Sequence, residues 1–226
     1  MDGVTLFIPV LDEESIIEKN TSHLVNFMDS LGFGYEVILG SNGSTDGTIG
    51  IGERLSKEKK ISFFHLEKKG VGDAFKKALR MAKYDYVISL DMDLSVDMSF
   101  VKKTVELVDS YDIIIGSKQM GYQERSLLRR IPSFVFTCFV RTLLGIRFKD
   151  FSMAAKAYKK DVALKYVDKI DRGTSYVIDI IYLAYKDGFN IVEIPVRCND
   201  RRKSKFNILN ESFYRFRRLI RLWLIG

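Results

Sequence analysis

Cysteine is scarce in this chain. There are two in 226 residues, Cys138 and Cys198, without C-x-x-C spacing, which excludes a zinc-finger framework and a disulfide scaffold and fits a reducing cytosol. Three prolines and no repeated or low-complexity tract exclude a disordered or solenoid architecture. Histidine is limited to His23 and His65, both placed outside the polar motifs described below, so no histidine base is expected. Long hydrophobic runs are also missing. The uncharged core of Arg129 to Ile146, from Ile131 to Val140, falls far short of the roughly 20 residues that a membrane span requires.

What is present is a globular composition, 46% apolar and 29% charged. The length suits one hydrophobic core, which remains efficient up to about 250 residues, so residues 1–226 are expected to form one domain. The chain begins Met1-Asp2-Gly3-Val4-Thr5 and enters an apolar strand directly, with no signal-peptide pattern expected. Lys plus Arg exceed Asp plus Glu by seven, and the stretch Arg197 to Gly226 accounts for all of that excess, with nine basic and two acidic residues. Such a block suits anionic lipid, a phosphorylated substrate or nucleic acid.

Apolar runs at Val4 to Val10, Tyr35 to Gly40, Ile61 to Leu66 and Tyr86 to Leu90 predict strands. Between them the spacing predicts helices over Glu13 to Leu31, after Gly43 to Thr48, and over Asp73 to Ala82. A helix over Met98 to Ser110 and a strand over Asp112 to Gly116 follow. This alternation predicts an α/β fold with a mostly parallel sheet flanked by helices. Ligands of such sheets bind beyond the carboxyl ends of the strands, so the polar clusters Pro9 to Glu14, Ser41 to Asp46 and Asp91 to Ser95 should converge. Near 127–146 and 211–226, aromatic and apolar residues alternate with arginines, as in helices that lie on a membrane. Packing on the sheet or on a second protomer is the alternative, and no sequence motif of a nucleic-acid module occurs, which sets nucleic acid aside as a partner.

Asp91-Met92-Asp93 follows a buried strand, where extended geometry points both carboxylates the same way. Two carboxylates aimed at one point repel unless a cation joins them, and oxygen ligands in small number favour Mg²⁺ or Mn²⁺. A pair of turn aspartates capping the next helix is the competing reading of this tripeptide.

Together with Pro9-Val10-Leu11-Asp12-Glu13-Glu14 and Gly43-Ser44-Thr45-Asp46-Gly47-Thr48, the sequence Asp91-Met92-Asp93-Leu94-Ser95 resembles the family 2 glycosyltransferases of the Rossmann-like GT-A fold. Gly116-Ser117-Lys118, Leu127-Leu128-Arg129-Arg130, Lys149-Asp150, Lys156-Ala157-Tyr158, Glu193-Ile194-Pro195-Val196 and Asp200 to Lys205 are similar to the polyprenyl-phosphate or dolichyl-phosphate hexose synthases within that family. The resemblance implies inverting transfer of a hexose from a nucleoside diphosphate sugar, UDP- or GDP-hexose, to a lipid monophosphate at the cytoplasmic face of a membrane, with peripheral attachment.

By the same resemblance, Pro9, Leu11, Glu13, Asn42 and Asp46 would line the nucleotide pocket. Asp91 would face metal and donor, Asp93 would bind the metal, and Ser95 would stand in for a glutamine ligand. Lys118, Arg129, Arg130, Arg201, Arg202 and Lys205 would hold donor and acceptor phosphates, with arginine suited to bidentate contact. A phosphate monoester is already anionic and needs no strong base.

Several positions depart from the family pattern. Ser41 and Asn42 stand where relatives commonly carry two aspartates, so Asn42 is expected to offer its amide to the base. Ser152-Met153-Ala154-Ala155 departs from a Gln-Cys-Gly-Phe type of sequence. Asp179 could orient a cleft arginine or cap a helix, and Gly70-Val71-Gly72 could approach the diphosphate. Transfer to a sugar hydroxyl is the second reading, with Asp150 or Asp179 as base. A membrane protein that binds nucleotide sugar without turnover is the third.

Overall fold

The computed structural model describes residues 2–124, 127–199 and 208–225, and side chains are described there except at 123, 127–130, 208–209 and 225. In chain order the elements are β1 (Gly3–Val10), α1 (Ile17–Leu31), β2 (Gly34–Asn42), α2 (Thr48–Leu55), β3 (Ile61–Leu66), α3 (Val71–Met81), β4 (Tyr86–Ser89), α4 (Ser99–Leu107), β5 (Ile113–Glu124), α5 (Leu127–Leu144), β6 (Lys156–Lys159), α6 (Lys160–Lys165), α7 (Tyr176–Lys186), β7 (Ile191–Asn199) and α8 (Ile208–Ile225).

Seven strands form one sheet in the order β3-β2-β1-β4-β6-β5-β7. β1 pairs in parallel with β2 and β4, β2 with β3, and β5 with β7. β6 alone runs antiparallel, against β4 on one side and β5 on the other. The apolar run of β1 is buried almost throughout, as a central strand covered on both faces must be.

Side chains alternate between two cores. Leu6, Ile8, Val37 and Leu39 join residues of α1, α2 and α4 on one face. Phe7 and Ile38 join Phe75, Tyr158 and residues of α5, α6, α7 and α8 on the other. This is the α/β layering that the strand and helix periodicities predict.

Two boundaries move for physical reasons. The expected helix from Glu13 begins at Ile17, because the preceding residues form a turn in which Ile16 N and Ile17 N both donate to Glu13 O. The expected strand ending at Gly116 continues as β5 to Glu124 beside β7, with a register irregularity between Ser117 and Tyr122.

Helix α5 packs on α8 through edge-on rings, Phe136 to Phe216 at 5.3 Å and Phe139 to Phe216 at 5.2 Å. No described helix is long and apolar enough to cross a membrane. The inner face of α8 is tied down by polar contacts. Arg218 Nη2 lies 2.7 Å from Asp179 Oδ2, Tyr214 OH donates to Asp171 at 2.6 Å, and Arg215 Nε donates to Thr174 Oγ1 at 3.3 Å. Asp179 is fully buried and its carboxyl is raised by that burial, against the lowering pull of Arg218. It therefore holds an arginine of the C-terminal helix, rather than a cleft arginine.

Candidate active site

The carboxyl ends of β1, β2 and β4 lie side by side, and the loops that leave them are joined by short hydrogen bonds. Asp12 N donates to Ser44 Oγ (3.1 Å), Glu13 N to Thr48 Oγ1 (2.7 Å) and Glu14 N to Asp46 Oδ2 (3.2 Å). In return Thr45 N donates to Asp12 Oδ1 (2.8 Å) and Gly47 N to Glu14 Oε2 (2.8 Å). The Gly-Ser-Thr-Asp-Gly-Thr sequence thus shapes the loop after β1, leaving Pro9, Leu11 and Glu13 half-buried at its edge. Asp46 also receives Thr48 N at 3.0 Å, so its carboxylate organises the turn into α2.

The loop after β4 is braced from both sides. Asn20 of α1 donates to Met92 O at 2.9 Å, while Asn199 of β7 donates through its backbone to Ser95 O at 2.8 Å. Asp97 N reaches Arg197 O at 3.0 Å, and Val96 bridges to Cys198. Among the described residues, Asp12 and Leu94 are the non-glycine residues with left-handed backbone, at φ 52° and 49°. Each lies in one of the converging loops, which is where stored backbone strain collects in functional sites.

Asp91 is pushed up to about 6, first by burial and second by the neighbouring Asp93 carboxylate, against the lowering effect of the Ala154 amide, Lys156 and Lys118. Asp93 Oδ1 accepts Ser95 N at 3.0 Å. Two mutually repelling carboxylates suit a hard divalent cation as a shared partner. Among the described residues no group of three or more His, Cys, Asp or Glu is placed to hold a metal. The pair would have to be completed by other oxygens, such as the Ser95 hydroxyl, water or phosphate.

Beneath this loop lies a buried ionic cluster that sequence reasoning did not assemble. Lys118, expected in the cleft as a phosphate contact, is 1% exposed, and its ammonium reaches Asp150 Oδ1 and Oδ2 at 3.1 and 3.0 Å and Ser152 Oγ at 2.6 Å. A buried lysine must be paired, and Asp150 supplies the pair. Burial pushes Asp150 up, but Lys118 and Lys156 outweigh it and hold the carboxyl down at about 2. Asp150 is thereby a poor candidate for a general base, and Asp179, though raised by burial, is occupied by its ion pair with Arg218 on α8.

Lys156 is fully buried and donates to Gly116 O (3.2 Å) and Met153 O (3.1 Å). Burial lowers it to about 8, against the raising effect of Asp150. Its folded value lies below its unfolded one, near 10.5, so the unfolded chain binds more protons between those two pH values and stability rises with pH across that window. Below pH 8 the lysine is expected to cost about 3 kcal/mol, at 1.36 kcal/mol per unit. Thermal melts of wild type and Lys156→Met should therefore diverge in the wild type's favour as pH rises from 8 to 10.5.

Three other expectations change. Asn42 is 4% exposed, with Nδ2 donating to Val10 O at 3.0 Å and Oδ1 accepting Gly70 N at 3.4 Å. Its amide is a clamp between β1 and the start of α3 rather than an open base contact. The Gly70-Val71-Gly72 turn does not present its amides to a phosphate, because Gly72 N and Asp73 N both donate to Arg172 O. A Cβ on Gly72 would stand 2.2 Å from Asp171 O, so glycine is required there for close packing. His65, expected to lie apart from the motifs, touches one of them, with Nδ1 2.9 Å from Ser41 Oγ. The signal was available in the register, since parallel pairing of β2 with β3 sets Ser41 opposite His65.

Arg129 and Arg130 fall in the first turn of α5, with side chains outside the described residues, and Arg201, Arg202 and Lys205 lie outside them altogether. Strand β7 ends at Asn199, whose backbone amide donates to Ser95 O.

A GT-A sheet with an Asp-x-Asp loop beyond its central strands marks a glycosyltransferase, and comparison with known proteins identifies the family. Residues 5–166 match the model of glycosyl transferase family 2, and the chain belongs to that family. It is 26% identical to glycosyltransferase AglD of Haloferax volcanii, over 97% of this chain and 37% of that protein. It is also 26% identical to the undecaprenyl-phosphate 4-deoxy-4-formamido-L-arabinose transferase of Shewanella sediminis, over 98% of this chain and 65% of the relative. The chain thus spans little more than a third of the first and under two thirds of the second. Among solved structures, glucosyl-3-phosphoglycerate synthase from Mycobacterium tuberculosis, in complex with Mn²⁺, UDP and phosphoglyceric acid, aligns with a TM-score of 0.69 at 16% identity, over 97% of this chain and 76% of that one.

Proposed function

We propose that this glycosyltransferase moves a hexose, with inversion, from a UDP- or GDP-hexose to a polyprenyl or dolichyl monophosphate at the cytoplasmic face of a membrane. The observation that carries the reading is the Asp91 and Asp93 pair at the end of β4, in a chain whose helices α5 and α8 also expose large apolar side chains. Support comes from the undecaprenyl-phosphate sugar transferase among its relatives.

Asp91 and Asp93 would hold Mg²⁺ or Mn²⁺, with Ser95 as a further oxygen. A metal bound there stabilises the charge that develops on a departing diphosphate, as a Lewis acid. Pro9, Leu11 and Glu13 border the space for the nucleoside, and Asp46 and Asn42 hold the loops around it in shape. Arg129, Arg130, Arg201, Arg202 and Lys205 are the cations proposed to bring the acceptor phosphate in line. That acceptor is already ionised and needs no base, which agrees with Asp150 and Asp179 being engaged in buried ion pairs. The same observation disfavours transfer to a sugar hydroxyl.

Ile131, Phe134 and Phe139 on α5 are 60%, 61% and 48% exposed, and Phe213, Trp223 and Leu224 on α8 are 74%, 51% and 70% exposed. Rings of this kind beside arginines fit the headgroup boundary of a bilayer. Replacing Phe213 and Trp223 together with Asp should weaken co-sedimentation with anionic vesicles by more than about tenfold, since each buried aromatic is worth about 1.5–3 kcal/mol. Unchanged vesicle binding would point to a protein partner for this face.

The direct test is transfer from a panel of radiolabelled UDP- and GDP-hexoses into lipid-extractable product, with polyprenyl phosphate and Mg²⁺ or Mn²⁺. Metal-dependent lipid product is expected. Donor turnover only with sugar hydroxyl acceptors would favour the second reading, and no turnover at all would favour a binding protein.

A further inference from the structure

We propose that His65 is a positioning residue for the loop after β1, acting through Ser41 and Ser44 on the backbone of Asp12. This rests on the reading of that loop as the border of the donor nucleoside. His65 is the penultimate residue of the edge strand β3, and its register partner on β2 is Ser41. The ring Nδ1 lies 2.9 Å from Ser41 Oγ, Ser41 Oγ and Ser44 Oγ are hydrogen-bonded at 2.9 Å, and Ser44 Oγ accepts the Asp12 N–H at 3.1 Å. Ser41 is fully buried and Ser44 is 4% exposed, so the two hydroxyls rely on each other and on the half-buried ring that covers them.

The chain is continuous in either ring tautomer. When Ser41 donates to Ser44 its Oγ accepts from a ring Nδ1–H, and when the protons run the other way Nδ1 accepts from Ser41. The ring makes no other hydrogen bond among the described residues. At the far end, Asp12 has φ 52°, a conformation that a non-glycine residue keeps only when its surroundings hold it. Its carboxylate is fixed by Thr45 N at 2.8 Å, and its N–H by the end of the His65 chain. Thr45 Oγ1 adds a second contact to Asp12 Oδ1 at 3.4 Å, Asn42 Nδ2 holds Val10 O at 3.0 Å, and further cross-links hold Glu13 and Glu14. Cutting the chain should therefore loosen the Asp12 backbone amide, with Glu13 and Glu14 still joined to Thr48 and to the turn into α2.

The test combines residue-resolved amide exchange on the ligand-free protein with UDP and GDP affinity in Mn²⁺ and steady-state kinetics. In His65→Ala, exchange at the Asp12 amide should speed up about tenfold, the factor that corresponds to about 1.4 kcal/mol, with Glu13 and Glu14 unchanged. Nucleotide affinity should fall and donor KM rise by a similar factor, with kcat little altered. His65→Asn, whose amide can donate to Ser41 in place of Nδ1, should restore both readouts. Ser44→Ala should reproduce the effect, and adding His65→Ala to it should do little more. An unchanged Asp12 amide, no rescue by Asn, or effects that multiply in the double variant would overturn the proposal. If the Asp12 amide responds as described but wild type binds neither nucleotide, the positioning role stands and the donor reading falls.

Discussion

Replacing Asp93 with Ala is expected to lower glycosyl transfer by at least about a thousandfold, the upper range for losing one charge-stabilising group in a preorganised site. The carboxylate is half-buried, and its described bond in the fold is the one accepted from Ser95 N at 3.0 Å, worth about 1 kcal/mol. The variant should therefore melt within a few degrees of wild type, and its loss of activity should be chemical. Mn²⁺ binding followed by electron paramagnetic resonance supplies a second readout, because the variant should lose affinity whether or not acceptor is present. Activity retained to within about tenfold, together with unchanged Mn²⁺ affinity, would return Asp91-Met92-Asp93 to the reading of turn aspartates that cap a helix.

Lys118→Met should have the largest effect on stability. Asp150 is 0% exposed and Lys118 1%, and removing Lys118 takes from Asp150 its hydrogen-bonded cation and leaves it only the charge of Lys156, which bonds elsewhere; breaking a buried pair costs about 3–5 kcal/mol. For a chain of 226 residues this is a fall in Tm of roughly 6–20 °C, at about 2–4 °C per kcal/mol. The double variant Lys118→Met with Asp150→Asn should recover only part of that loss, because it removes the stranded carboxylate and with it the charge that offsets buried Lys156. Acid should resemble the single variant. Asp150 sits at about 2 in the fold against 3.8 unperturbed, so its contribution is complete above pH 4 and fades as pH falls toward 2. If Lys118→Met melts within about 2 °C of wild type, the pair supports the site without supporting the fold, since only a surface ion pair has so small an effect.

The central strands were legible because a strand covered on both faces reads as an unbroken apolar run, as Val4 to Val10 does. The converging loops were legible because polar residues directly follow such runs. β6 was not, since its four residues begin and end with lysine and only the buried partners of Lys156 make that charge tolerable. The extension of β5 past Gly116 was hidden for a related reason. Ser117, Lys118 and Gln119 look like loop residues until Asp150, distant in sequence, neutralises the lysine. Lys118 itself carried the right charge for a phosphate contact, but local sequence holds no information about which carboxylate folds beneath it. Asn42 and His65 show the same limit from the other side. Both lie near strand ends, and their roles follow from register across neighbouring strands rather than from adjacent residues.

Strand β6 also sets an order on assembly. It fills the gap between β4 and β5, yet 66 residues separate the end of β4 at Ser89 from the start of β6 at Lys156. During synthesis the β1 to β4 units can pair from local contacts, but the outer edge of β4, and the Asp91 loop above it, must wait until Lys156 to Lys159 emerge. Closing so long a loop is slow compared with forming adjacent βαβ units. A nascent chain paused before β6 would present an unpaired apolar strand edge, a template for aggregation. Chains ending near residue 150 are thus expected to require a chaperone, whereas chains that include β6 and α7 should hold themselves in solution.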